Sequence, residues 1–393
     1  MKKHLEKYLE KIAKREAHIE VRKPGKRHVV IDARIRRDST GKPVDRLLEH
    51  LQALDSGGHT YSIILKPGDD WQPKNKNFTA VKTRFGIFSF NPLNQLLYAW
   101  QLYKLEADLV YFTLTPQQPV FYFRKYITFT HDLTMLKFAR AGRLPNWLHA
   151  VRMYGYRFLL WDAHRMARQV IVPTQYVADA VNKYHLFTNR KTTVCLESSE
   201  PPLSGKAKKP EDAPEKFILY VGSAFPHKNL ENLVTAFGLL KEVHEDLKLV
   251  LVGKREYYSK KLENWAKKQP CFDDIIFTGF VPDEELKWYY QNAETYVFPS
   301  FSEGFGLPSL EAMVHGCPVV SSNATCMPEV NGEAALYFDP HDVAEIAERI
   351  NEMISNKELR RKCIAKGYTN ARKYSWHTFA AKHLELFNEV LGD

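Results

Sequence analysis

Several absences in the sequence each close off a class of function. No apolar run approaches the roughly 20 residues that span a bilayer, so no transmembrane helix is predicted. The opening "MKKHLEKYLEKIAKREAH" has neither the apolar core nor the small-residue cleavage site of a secretory signal. The five cysteines (Cys195, Cys271, Cys317, Cys326, Cys363) are odd in number, scattered and never spaced C-x-x-C. That argues against a disulfide framework or a structural zinc site and for a reducing, cytoplasmic compartment. No D-x-D occurs, so nothing visible requires a metal clamp on phosphates, and neither metal nor cofactor is expected. "STGKP", starting at Ser39, is not a P-loop: Arg36 stands where the earlier glycine belongs and Pro43 replaces the Ser/Thr. "GFG" at 304–306 meets Ser309 where a dinucleotide fingerprint needs its third glycine.

What is present is a globular chain of 393 residues, 44% hydrophobic and 26% charged, too long for one ordinary core. The net charge is +10, and residues 1–27 carry ten Lys and Arg against four Glu. Within that head Leu5, Tyr8, Leu9 and Ile12 recur at helical spacing with lysines on the other faces. The predicted amphipathic helix either docks on its own domain or lies on an anionic membrane, peripherally at the inner face. A basic balance suits acidic partners, but no interleaved aromatic and basic motif points to nucleic acid, and none is expected as a partner.

From His28 onward, short apolar runs ("HVVIDAR", "YSIILK", "DLVYFTL", "YITFT", "QVIVPT") alternate with helical stretches. Such alternation predicts an α/β fold with mostly parallel sheets. "SSEPPLSGKAKKPEDAPEK" (198–216) holds four prolines and little that is apolar, and reads as a linker. The alternation then restarts with "FILYVGS", "LKLVLVG", "DIIFTGF" and "TYVFPS". The predicted division is a basic helix over 1–27, a doubly wound domain over 28–197, the linker, and a second doubly wound domain over 217–375. A last amphipathic helix is predicted over 376–393. A cleft is expected between the domains. The aromatics of 66–165 ("FGIFSFN", "YAWQLY", "VFYF") are read mainly as core.

Ligands of open α/β sheets bind beyond the carboxyl ends of the strands, and the chemistry-bearing residues fall there. "PSFSEGFGLPSLE" places Glu303 on the loop after one strand and Glu311 in the opening turns of a helix. Pro308 suits the first helical position, and the N–H groups around Gly306 are free to meet an anion. "YVGSAFPHKN" brings Lys228 to the end of another strand, before a helix expected to be capped by Asn229. Lys254 and Arg255 follow the next strand.

The second half resembles the donor-binding domain of family 4 retaining glycosyltransferases of the GT-B fold. "EGFGLPSLE" matches their E-x7-E signature, while "PHKN", "FTGFVPDEEL" and "CPVVSS" fit the accompanying segments. "HVVIDAR…TGK…RLLEHL" is similar, more loosely, to mannosyltransferase-like members. The resemblance implies two Rossmann-like doubly wound domains facing a cleft, 28–197 on the acceptor side and 217–375 binding the nucleotide-sugar, with the helix of 376–393 crossing back to the first domain. It implies that Glu311 binds the ribose hydroxyls and Glu303 a hydroxyl of the donor sugar. The backbone of Phe305, Gly306 and Leu307 would line the sugar and phosphate site. Lys228 would neutralise the diphosphate with Arg255 and the loop at Ser223, and Val281 would border the base. In the first domain His131 would face the donor sugar, with Gly41 in a reduced glycine loop. Lys228, Glu303 and His131 are the expected catalytic set. The implied reaction is retaining, metal-independent transfer of a hexose from a nucleotide-diphosphate sugar to a glycan or lipid-linked acceptor. GDP-mannose is the first expectation for the donor and a UDP-sugar the next. The alternatives are an epimerase or hydrolase on the same scaffold, or a basic membrane- or nucleic-acid-binding protein.

Overall fold

The computed structural model describes residues 26–38, 40–89, 91–138, 145–184, 192–200, 203 and 205–392. The basic helix expected within 1–27 lies outside the described residues, apart from residues 26 and 27 ahead of the first strand. The chain forms two compact units: one is made by the chain up to Glu197 and again from Ser375, the other by Ser198–Tyr374.

In the first unit β1 (His28–Asp32) leads through α1 (Lys42–Leu54) to β2 (Thr60–Leu65) and β3 (Phe78–Lys82). Then come α2 (Pro92–Lys104), β4 (Leu109–Phe112), β5 (Tyr126–Phe129), the single turn α3 (Thr134–Lys137) and the long α4 (Asn146–Met166). β6 (Gln169–Val172), α5 (Gln175–Tyr184) and β7 (Thr192–Val194) complete a parallel sheet in the order β3-β2-β1-β4-β5-β6-β7. Its central strands are continuous apolar runs because both faces are covered. Val30, Ile64, Val110, Phe112, Val170 and Val172 share one core. α1 buries Val44, Leu47, Leu48 and Leu51, one helical face turned to the sheet.

The second unit runs β8 (Phe217–Val221), α6 (Leu230–Lys241), β9 (Lys248–Val252), α7 (Tyr257–Ala266), β10 (Ile275–Gly279), α8 (Asp283–Asn292) and β11 (Thr295–Phe298). It continues through α9 (Leu307–Val314), β12 (Val319–Ser322), α10 (Met327–Asn331), β13 (Ala335–Phe338), α11 (Val343–Ser355) and α12 (Lys357–Ala371). The strands are again parallel, in the order β10-β9-β8-β11-β12-β13. The stretch read as a linker is docked on this unit. Lys287 Nζ, on α8, donates to the carbonyls of Leu203 (2.6 Å) and Gly205 (2.8 Å), and Lys208 N to that of Glu284 (3.0 Å). A proline-rich segment with few apolar side chains is thus held through its backbone.

α13 (Trp376–Gly392) belongs to the first unit, where it packs on α1 and β4 and buries Phe379, His383, Leu384 and Phe387. His383 Nε2 accepts from Tyr111 Oη on β4 at 2.9 Å. Each sheet builds outward in both directions from its first strand, so each has a crevice beyond the carboxyl ends where the winding reverses. These crevices lie between β1 and β4 in one unit and between β8 and β11 in the other.

The aromatics of 66–165 divide rather than all entering the core. Tyr98, Tyr111, Phe112 and Tyr122 are buried, whereas Phe88, Trp100, Phe121 and Phe123 are exposed.

Candidate functional site in the second unit

β8 ends at Val221, and beyond Gly222 the chain makes a single 3-10 turn, Pro226–Lys228. Asn229 follows in the left-handed region (φ 59°) and makes no side-chain cap on α6. Its amide instead donates to the carbonyls of Pro299 (3.0 Å) and Pro340 (2.7 Å), clamping the lysine loop to those leaving β11 and β13. Phe301 N donates to His227 O at 2.8 Å, a second stitch. Held this way, Lys228 Nζ reaches Glu303 Oε1 at 2.7 Å across the gap between β8 and β11. Both side chains are mostly covered, with 16% and 12% of their surface exposed.

Glu303 is itself tethered at both ends of its peptide. Its N–H donates to Thr325 Oγ1 (3.2 Å), and its carbonyl accepts from Cys326 Sγ (3.3 Å). Three residues on, Gly306 has φ 99°, and a methyl there would sit 3.0–3.2 Å from Met327 and Phe298. Both the backbone and the space require glycine. α9 begins at Leu307, so Pro308 is the second helical residue, not the first as expected. Ser309 Oγ donates to Gly306 O at 2.8 Å. The N–H groups of Phe305, Gly306 and Leu307 enter none of these bonds and stand at the helix mouth, where an anion is favoured. The Phe305 ring is buried edge-on against Tyr374.

Glu311, on α9, is half-buried and lies 3.4 Å from Tyr290 Oη. Its carbonyl accepts from His315 Nδ1 at 2.7 Å, and His315 Nε2 accepts from Leu203 N at 3.1 Å. That pattern fits the neutral ring, and burial holds the His315 imidazole below its ordinary value. Ser223 lies directly beyond Gly222, and its carbonyl accepts from Tyr220 Oη at 2.9 Å. Burial, with the nearby Glu303 charge, pushes the Tyr220 phenol well up.

Arg255 lies exposed beyond β9 and pairs with Glu263 at 3.4 Å, and Val281 is buried just past β10. A small hollow of about 20 Å³ opens at these strand ends, lined by Gly222, Gly253, Lys254, Arg255 and Gly279. A methyl on Gly253 would meet Gly222 O at 2.1 Å, so strands ending in glycine are what allow the edge to close up. The second unit therefore gathers Lys228, Glu303 and the α9 mouth at one crevice, with Ser223 beside it and Arg255 and Val281 at the neighbouring strand ends.

His131 and Gly41 belong to the first unit. His131 follows β5; its Nε2 lies 3.0 Å from Thr113 O, and its Nδ1 lies 3.3 Å from Glu197 Oε1. Gly41 does not offer an open loop amide. Its N–H donates to Asp38 O at 2.9 Å, and a methyl there would lie 2.2 Å from Ile35 O. Packing alone explains that glycine. Glu197, Thr325 and the clamp made by Asn229 were not legible beforehand, since each acts through a partner distant in sequence.

Residues 204–370 match the family described as Glycosyl transferases group 1. The matched residues all fall within the second unit. An O-antigen chain mannosyltransferase B from Escherichia coli is 38% identical over 172 residues, covering 44% of this chain and 45% of that protein. An O-antigen chain mannosyltransferase from Salmonella typhimurium is 31% identical over 188 residues, 48% of this chain and 51% of that one. The chain thus spans about half the length of these curated relatives. Among solved structures, a sucrose-phosphate synthase from Thermosynechococcus elongatus superposes with a TM-score of 0.74 at 19% identity, covering 94% of this chain and 100% of that one. An Anabaena protein solved with UDP and glucose gives 0.67 at 16% identity over 92% of this chain and 99% of that one. The fold is GT-B, two Rossmann-like units with parallel sheets.

Proposed function

We propose that the protein is a retaining glycosyltransferase that moves a hexose from a nucleotide-diphosphate sugar to a glycan or lipid-linked acceptor. GDP-mannose is the first choice of donor. The observation that carries this reading is the Lys228–Glu303 pair standing across the β8–β11 crevice beside the open amides of α9. An ammonium and a helix mouth together suit a diphosphate, and a carboxylate beside them suits a sugar hydroxyl. The relatives named as mannosyltransferases support mannose as the sugar.

In this mechanism an arriving diphosphate draws Lys228 away from Glu303, which frees the carboxylate to accept from the sugar. As the sugar–phosphate bond breaks, its electron pair stays on the diphosphate. Lys228 and the amides of Phe305, Gly306 and Leu307 are already in place to take that charge. Glu311 holds the ribose, Arg255 and Ser223 assist the phosphates, and Val281 borders the base. No step uses a metal. The test is a thermal-shift panel of GDP-, UDP-, ADP- and TDP-sugars with Glu311→Ala as control, followed by the anomeric configuration of the product. Stabilisation by GDP-mannose that is lost in the variant, with retention in the product, supports the reading. An inverted product, free epimerised sugar without acceptor, or transfer lost in chelator and restored by magnesium would each refute its corresponding part.

A further inference from the structure

We propose that α2, α4 and the loop joining β4 to β5 form a face that lies on an anionic phospholipid bilayer. On α4, Trp147, Val151, Tyr154, Phe158 and Trp161 recur at intervals of four and three residues, which places them on one side of the helix. That side is the outward one: Trp147 is 69% exposed, Tyr154 72% and Phe158 53%. α2 repeats the pattern with Leu93, Leu96 and Trp100, all exposed, and the β4–β5 loop adds Phe121 and Phe123. The loop ties the two helices together. Gln118 Nε2 donates to Leu159 O on α4 (3.3 Å), and Val120 N donates to Gln95 Oε1 on α2 (3.0 Å). Large apolar side chains on neighbouring elements, left facing water, mark an interaction surface rather than ordinary surface scatter.

Charge decides which surface it meets. These three elements carry Lys104, Arg124, Lys125, Arg152, Arg157 and Arg165 against Asp162 alone. Lys104 Nζ stands 3.4 Å over the Trp100 ring, and the Arg165 guanidinium 5.2 Å over that of Trp161. A second copy of the same face would oppose like charges, and so would the basic head of residues 1–27. Bases could stack on the rings, but Leu93, Leu96 and Val151 offer them nothing. A bilayer surface uses all of it: aliphatics enter the acyl boundary, Trp and Tyr sit at the headgroups, and the cations meet anionic lipid. No described helix is long and apolar enough to cross a membrane, so the face lies on the bilayer rather than in it.

The experiment is vesicle flotation of the full-length protein, with tryptophan emission as a second readout. Vesicles of phosphatidylcholine alone are compared with vesicles containing phosphatidylglycerol, at low and high salt. Binding should require phosphatidylglycerol, weaken with salt and shift the emission to the blue. Tyr154→Ser with Phe158→Ser should lower partitioning roughly tenfold or more, and Arg152→Glu or Arg157→Glu about fivefold or more each. Melting temperatures should stay unchanged, because all four side chains are exposed. Lys2→Glu, Lys3→Glu and Lys7→Glu in the head should leave most of the binding. Three results overturn the proposal: no binding by the unaltered protein, face variants that bind as it does, or binding abolished only by the head substitutions. A dimer in light scattering that the face substitutions dissolve, with no vesicle binding, would assign the face to a second copy instead. Transfer to a soluble acceptor should not change in the face variants, so the outcome is independent of the donor reading.

Discussion

The two sheets turn their winding at equivalent places, yet one crevice is sealed by a buried polar network and the other holds a single, partly open ion pair. At the end of β1 the Asp32 carboxylate accepts from Arg34 Nε (2.8 Å), Arg34 Nη2 (2.6 Å), Tyr98 Oη (2.6 Å) and Gln117 Nε2 (3.0 Å). Arg34 also donates to the carbonyls of Gly86 and Gln117, and Thr113 Oγ1 on the β4 side closes onto Asp32 O at 2.6 Å. Both members of the pair are essentially inaccessible. Burial works against the Arg34 charge, but the adjacent carboxylate overrides it and holds the guanidinium above its ordinary value. At the β8–β11 crevice glycines replace bulk, and one partly open ion pair replaces the sealed network. Topology supplies the location twice, and the side chains seal the first more completely than the second; the proposed diphosphate site is the second.

The sharpest way to break that contrast is to remove one cation from each crevice. Arg34→Met leaves a buried carboxylate without its counterion and should cost about 3–5 kcal/mol in denaturant unfolding. Lys228→Ala uncovers a carboxylate that is mostly but not fully buried and should cost less, about 1–3 kcal/mol, while lowering transfer roughly 100- to 1,000-fold. Equal effects of the two on stability would dissolve the distinction.

Acid titration sharpens it further. His383, bonded to Tyr111 in the first unit, is pushed down to about 4 from 6.5 by burial, against the pull of the Phe379 carbonyl, with the His131 charge adding. Between those values the unfolded chain binds a proton that the folded chain refuses. Stability therefore falls as pH drops through that window, by up to roughly 3 kcal/mol. His383→Gln should flatten the slope in pH-dependent melts, and an unchanged slope would remove the histidine from the account. The smallest effect is expected at Gly306→Ala, where the left-handed backbone and the contacts to Met327 and Phe298 together cost about 1–3 kcal/mol. Donor affinity should fall with it, since the α9 amides move.

Much of this was written locally. Apolar runs five or six residues long, alternating with helical stretches, marked both sheets, and the glycines and proline around Glu303 marked a strand-to-helix turn. The partners of those residues could not be read the same way. Asn229 looks like a helix cap, but its positive φ accompanies bonds to prolines 70 and 111 positions away. Gly41 stands where the resemblance implies a reduced glycine loop, and its amide is taken by Asp38. The stretch from Ser198 looks free because it is polar and proline-rich, yet α8 holds it by backbone carbonyls. The aromatics of α2 and α4 look like core because composition does not say which side of a helix faces inward.

The most direct test of the central claim is phosphorus NMR of GDP titrated with the full-length protein and with Lys228→Ala. We predict that both phosphate resonances shift and broaden with the unaltered protein, and that the terminal one returns to its free position in the variant. Identical perturbation by the two proteins would contradict a diphosphate gripped at the β8–β11 crevice.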